Sequence, residues 1–288
     1  MSYELGFIDG DKITSIRKLS NEEFQEYKRA SDCLSNFSNT QQLYTITLLN
    51  YDEYFTTLKE YEQQYSSSQS LNSLILERMF LNINRRLLNY LSSVRSFLDH
   101  TETRLKEKYG QESARVKHFL EACSKEYENS FSYKFFYTLR NFTQHFGMPV
   151  GNLRLTSTED PPYSGKVSHH LEVTFDRDEL LKYNGWKRML KEEIQRLPQE
   201  FDISSHVFNM MKCLERINGV LVKDELLDIV KSAEYIDKLT GSIKEKQVYP
   251  IILQISQDNK PSEKTLTYFN IPFHIVQYAL NLRNTITQ

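Results

Sequence analysis

Between residues 71 and 109 a run of mostly apolar side chains recurs at gaps of three and four: Phe80, Ile83, Leu87, Tyr90, Val94, Phe97, Thr101 and Leu105. At about 100° per residue this spacing puts them on one face of a single long helix, and Gly110 supplies its stop. The rest of the chain agrees with a helical reading. Gly and Pro together number 16 in 288 residues, too few for a turn-rich all-β protein. The apolar fraction is 39%, and 18 Tyr and 17 Phe imply that much of the burial is aromatic. The opposite face of the 71–109 helix carries Arg78, Arg85, Arg86, Arg95 and Arg104, expected as a solvated surface or, alternatively, as a track along a phosphate backbone.

Around this helix the sequence lays out smaller elements. Residues 3–17 read as a hairpin turning at Asp9-Gly10, with Leu5, Phe7 and Ile8 on one arm and Ile13 and Ile16 on the other. Ser20-Asn-Glu-Glu23 is a capping box opening a short helix, and a second helix is expected from Gln41 to about Tyr65, before a polar break over 61–70. Two strands, 153–158 and 168–175, are joined by the turn-forming Asp160-Pro-Pro-Tyr-Ser-Gly165. Asp176 or Asp178 would cap a helix to about Leu197, with further helices near 203–217 and 223–239, strands over 248–256 and 264–270, and a last helix over 272–283. The expected fold is mainly α, a helical bundle with small β appendages. It divides into 1–40 (hairpin and short helix), 41–200 (bundle with a hairpin insertion) and 201–288 (a mixed accessory region).

The second helical region, 111–146, is expected to bend around Asn129-Ser130. Its latter half sets Phe131, Phe135, Leu139, Phe142 and Phe146 on a core stripe, bordered by a polar row of Lys134, Thr138, Asn141 and His145. Near its end stands Arg140-Asn141-Phe142-Thr143-Gln144-His145, just before Gly147 and Pro149. Arginine holds a non-bridging phosphate oxygen through paired N–H donors, and histidine moves a proton near neutral pH. Arg95 and His100 repeat the spacing, but Ser follows that arginine and the histidine lies mid-helix. Arg140, Asn141 and His145 are therefore the candidate catalytic set. Lys134, Tyr137, Gln144 and Arg95 are the candidate substrate contacts. The competing reading makes His145 a helix-terminus residue, with Arg140 lying over the surface and Asn141 merely solvated.

Several other chemistries find no footing. His169-His170 are adjacent on a strand and point to opposite faces. There is no H-E-x-x-H or paired-Cys spacing, and Cys33, Cys123 and Cys213 are isolated thiols. No Gly-rich phosphate loop or G-x-S-x-G is present, and Glu172-Val-Thr174 lacks the lysine of a metal-dependent nuclease strand. A net charge of −2 argues against coating nucleic acid without selectivity. The start lacks signal-peptide architecture and no run is long and apolar enough to span a bilayer, so a cytoplasmic chain with no membrane partner is expected.

The segment Phe136-Tyr-Thr-Leu-Arg-Asn-Phe-Thr-Gln-His-Phe-Gly-Met-Pro149, following a long helical hairpin, resembles the ribonuclease signature of the HEPN superfamily (higher eukaryotes and prokaryotes nucleotide-binding domains). In that signature a polar residue follows the arginine, and a histidine comes four to six residues after it. The resemblance covers about residues 70–147, or at its widest reaches the helix ending near Leu197. It implies a metal-independent endoribonuclease with no cofactor. A homodimer would bring two motifs together and leave 2′,3′-cyclic phosphate and 5′-OH ends on RNA. His145 would then handle the proton, Arg140 the phosphorane charge, and Asn141 the orientation of either. By analogy the setting is that of a toxin or antiviral-defence effector, with an antitoxin or defence-system partner. The alternative is a non-catalytic helical module that binds RNA, a nucleotide or a protein partner.

Overall fold

Helix-forming residues dominate, and eight helices and seven strands order the described part of the chain. The computed structural model describes residues 2–67, 72–148, 150–159, 164, 167–243, 248–257 and 264–286. In chain order these are β1 (Ser2–Asp9), β2 (Lys12–Leu19), α1 (Asn21–Ser67), α2 (Ser73–Tyr109), α3 (Ala114–Asn129), α4 (Phe131–His145), β3 (Asn152–Glu159) and β4 (Val167–Asp176). There follow α5 (Arg177–Leu181), α6 (Arg188–Gln195), β5 (Glu200–Asp202), α7 (Ser204–Leu239), β6 (Tyr249–Gln257), β7 (Lys264–Asn270) and α8 (Phe273–Ile286). The expected turn over 160–165 lies, apart from Ser164, outside the described residues, as do the end of the 61–70 break and Pro149.

The chain forms two compact units, Gln42–Leu221, and Met1–Gln41 with Val222–Gln288. Where the sequence reading sets 1–40 and 201–288 apart, the structure groups the N-terminal hairpin with the C-terminal strands, because β1 pairs antiparallel with β6 (Leu5 opposite Ile252). The sheet order is β2-β1-β6-β7. Its hairpin turns at Gly10, whose φ of +57° is the left-handed geometry glycine tolerates. Leu5 and Phe7 are buried, but Ile13 and Ile16 of the edge strand β2 are exposed. Beneath the sheet, Phe24, Tyr27, Ala30, Leu34 and Phe37 form the buried stripe of the first part of α1, together with Ile229, Ala233 and Ile236 of α7 and Val276 of α8.

Two pairs of expected helices prove continuous. The capping box is made, Ser20 N donating to Glu23 Oε2 at 2.8 Å and Glu23 N to Ser20 Oγ at 3.1 Å, but the helix it opens runs on through residues 35–41 to Ser67 as α1. Likewise α7 passes Gly219, a residue that costs a helix only about 1 kcal/mol, and joins 203–217 to 223–239.

The central unit, Gln42–Leu221, carries the long patterned helix α2. Ile83, Leu87, Tyr90, Val94, Phe97, Thr101 and Leu105 are all buried, and Phe80 partly so. Each fully buried large apolar side chain contributes about 1.5–3 kcal/mol, so this stripe anchors the unit. Gly110 ends α2 at φ +86° and returns its N–H to Lys106 O. Three of the five arginines on the other face are engaged: Arg86 pairs with Glu53, Arg95 with Asp99, and Arg85 donates to Asn82.

Beyond the hairpin loop the chain breaks at Ser130, which is extended (φ −122°, ψ 114°) and at once closes α3 and caps α4 by accepting from Tyr133 N at 3.2 Å. Arg216 of α7 clamps Glu126 of α3 with two bonds of 2.7 Å. That hydrogen bonding holds the Glu126 carboxyl below its ordinary range. A three-stranded sheet, β3-β4-β5, buries Leu171, Val173, Phe175 and Phe201. The short β5 and the division of the expected 178–197 helix into α5 and α6 were not foreseen. Asp176 caps α5 through bonds to the Asp178 and Glu179 amides. Trp186 then donates Nε1–H to Leu180 O at 2.6 Å in the break.

Candidate active site

Helix α4 changes character along its length. Ser132, Tyr133, Lys134, Phe135, Phe136, Thr138 and Leu139 are buried, whereas Asn141, Gln144 and His145 are exposed and Arg140 half-buried. The polar row expected from the sequence thus crosses from interior to solvent. Its inner members are engaged: Lys134 Nζ donates to Glu193 Oε1 at 2.6 Å, and Thr138 Oγ1 to the Lys134 carbonyl at 3.0 Å. Ser132 Oγ and His206 Nδ1 lie 2.9 Å apart, in a nest of Phe131, Phe135 and Phe201 rings. Burial holds that imidazole below its ordinary pKa.

Phe142 fixes the outer end. It is buried against Tyr183 and Trp186, with ring centroids 5.6 and 6.1 Å away. Phe146, expected in the core stripe, instead falls just past the helix and is exposed, because the α4 ladder closes at His145. Phe146 N and Gly147 N both donate to Phe142 O, at 2.8 and 3.3 Å. The final turn is therefore held by its apolar side while its polar side faces water.

On that side, none of the Arg140, Asn141, Gln144 and His145 side chains has a hydrogen bond or ion pair among the described residues, and Arg140 Nε is buried without a partner. A buried donor left unmade costs about 1–3 kcal/mol, so an anion accepting from it would recover that loss. Arg140 and His145 stand about 140° apart around the helix and about 7.5 Å along it, while Asn141 and His145 share a face. Arg86 Nε and Arg104 Nη1 also lack partners among the described residues. Arg86 is already bound to Glu53 through Nη1, and Arg104 has no histidine within six residues after it.

The other expected contacts divide. Lys134, taken from sequence as a substrate contact, is withdrawn from solvent and occupied by Glu193, so the structure removes it from the accessible set. Arg95 donates Nε–H to Asp99 Oδ2 at 2.7 Å and lays its guanidinium 4.4 Å over the Tyr137 ring. Two of the expected contacts therefore meet each other. His100, the partner in the repeated spacing, is exposed. His169 and His170 bond separately, to Ser157 and Glu62. Among the described residues no group of His, Cys, Asp and Glu could hold a metal ion, and no helix is long and apolar enough to cross a membrane. The sequence reading missed Tyr127, Tyr133, Asp99, Glu102 and Lys187, which line a cleft beside Tyr137. The tyrosine pair four apart on α4 was a visible signal; Lys187, some fifty residues on, left none.

Comparison with protein-family models, with curated proteins and with solved structures returns no match to this chain.

Proposed function

We propose that this chain is a HEPN-type endoribonuclease whose reacting groups sit on the last two turns of α4. The observation that carries the reading is that, among the described residues, the side chains of the motif's arginine and histidine have no partner at a solvent-facing helix end, where Arg140 Nε is buried. In the proposed reaction a ribose 2′-OH attacks the adjacent phosphorus. The O2′–P bond forms, the P–O5′ bond breaks, and the electron pair leaves with O5′. His145 takes the proton from O2′ or supplies one to the departing O5′, and Arg140 stabilises the charge on the phosphorane oxygens. Asn141, on the His145 face, orients ring or phosphate. A homodimer with two apposed motifs would divide the acid and base tasks between two histidines. A role as a toxin or antiviral effector, with a cognate inhibitor or partner, is the biological setting the resemblance suggests.

The test is incubation of the purified protein with total RNA in excess EDTA. Cleavage leaving 2′,3′-cyclic phosphate ends, lost in Arg140→Ala and in His145→Ala, is expected, with DNA left intact. Undiminished cutting by both variants overturns the assignment. Intact RNA together with a stoichiometric co-purifying partner favours the non-catalytic interaction module instead.

A further inference from the structure

A cleft of about 290 Å³ opens where α2, α3 and α4 meet the start of α6. This is the small end of the range for ligand pockets, roughly 300–1,000 Å³, and suits a single planar ring system. Its walls are tyrosines. Tyr127 and Tyr137 stand 6.2 Å apart with their rings at 88°, and Tyr133 lies nearly parallel to Tyr137 at 6.2 Å. A flat aromatic ring entering here meets one tyrosine by the face and the other by the edge, the two favoured arrangements of aromatic pairs. Arg95 stacks on Tyr137, and Lys187 Nζ stands 5.0 Å from the Tyr127 centroid.

The charged lining consists of two acids and one lysine. Asp99 and Glu102, three residues apart on α2, both line the cleft. Each accepts one bond from a cation on its own helix, Arg95 and Lys106 respectively. The second oxygen of each carboxylate makes no bond among the described residues. A ring that uses both the acids and the lysine of this lining presents adjacent N–H donors to the carboxylates and an acceptor to Lys187. Among nucleobases only guanine does so: N1–H and the N2 amino group lie side by side, with O6 and N7 next to them. Adenine and cytosine set a bare ring nitrogen beside the amino group, which would face the carboxylates acceptor to acceptor. Uracil flanks its single N–H with two carbonyls. Lysine reading O6/N7 is a common guanine contact, and setting a ring acceptor against a carboxylate oxygen is what disfavours the other bases.

We infer that this tyrosine-walled cleft is a guanine-selective base pocket. It deepens, and rests on, the proposed action on RNA. Tyr137 lies one turn before Arg140 on α4, so a base in the cleft and a phosphate at Arg140 belong to one short stretch of strand.

The experiment titrates the full chain with GMP, AMP, CMP and UMP by calorimetry, alongside mapping of the ends produced from total RNA in EDTA. GMP is expected to bind at least about tenfold more tightly than the other three. Asp99→Asn and Glu102→Gln, conservative changes at partly exposed positions, should each erase that preference, and Tyr137→Ala should weaken every nucleotide. No binding of any nucleotide, binding without preference, or a preference that survives both carboxylate changes overturns the pocket. If GMP binds as expected but RNA stays intact, the pocket stands and the catalytic reading falls. If RNA is cut without regard to guanine and GMP does not bind, the reverse holds.

Discussion

The two halves of α4 are built from similar residues and end in opposite states. In the first half the buried Ser132, Lys134 and Thr138 each have a partner: Ser132 with His206, Lys134 with Glu193, Thr138 with its own helix backbone. From Arg140 to His145 the side chains of Arg140, Asn141, Gln144 and His145 have none among the described residues. The first half is therefore a stability element, in which each polar group contributes by being matched. The second half leaves three polar side chains to water and one donor, Arg140 Nε, buried without a partner among the described residues. At such a group an arriving acceptor gains a bond that water does not already supply. The two Arg–His pairs repeat the contrast. Arg95 and Arg140 have the same histidine spacing, but the first is taken up by Asp99 and Tyr137.

The largest effect that would break this contrast is on cleavage. Arg140→Ala should lower the rate of RNA cutting by about 10²–10³ and His145→Ala by about 10²–10⁴. Arg95→Ala should cost less than about tenfold. Single-turnover cleavage of one defined RNA measures all three. Equal losses at Arg95 and Arg140 would mean that freedom from partners does not mark the site.

Next in size is Lys134. Removing it leaves the Glu193 carboxylate without its partner, and Glu193 Oε2 is already buried and unbonded. Breaking a fully buried pair costs about 3–5 kcal/mol. The Glu193 side chain is 31% exposed, so Lys134→Ala should lose nearer about 2 kcal/mol, read as a shift in the urea midpoint at constant slope. The double change Lys134→Met with Glu193→Leu should recover most of it, because the charge is no longer stranded. A double mutant as unstable as the single would show that packing, not the ion pair, carries the site.

Much of this was legible in the chain. The α2 stripe, the capping box at Ser20 and the Asp176 cap follow from local periodicity and side-chain reach. The merging of α1 and of α7 was not. In α7 the buried Ile217, Asn218 and Leu221 flank Gly219 and offset its weak propensity, whereas residues 38–46 of α1 include no buried side chain and the structure gives no local reason for its continuity. The β1–β6 pairing joins residues about 250 apart, for which no local pattern exists. At the site, motif spacing was visible but commitment was only half so. Asp99 stands four residues after Arg95, whereas Gln144 stands four after Arg140. An acid at that helical offset occupies an arginine, and a neutral amide does not. Glu193, 59 residues from Lys134, gave no such sign.

A smaller effect depends on pH and belongs to the committed half. The His206 pKa is lowered by burial. The unfolded chain takes up its proton near the ordinary value of about 6.5 while the folded ring resists. Between the two pKa values the unfolded state binds more protons. Stability should therefore fall as the solution is acidified below about pH 6.5, and this group's contribution should level off below its folded pKa. His206→Gln should flatten that stretch of the curve. An unchanged slope would place the acid sensitivity elsewhere.

The smallest effect is also the one that separates the two halves most cleanly. Arg140→Met keeps the apolar stem but deletes a buried N–H that has no acceptor among the described residues. Removing an unsatisfied donor releases its desolvation cost rather than breaking a bond. Stability should thus stay level or rise, by up to about 1 kcal/mol, while cleavage is lost. A residue held for structure behaves the other way, as Lys134 should: activity per folded molecule survives and the midpoint drops. If Arg140→Met lowers the urea midpoint by as much as Lys134→Ala, then Arg140 has a structural partner in solution. The far end of α4 would then be an ordinary, matched helix terminus.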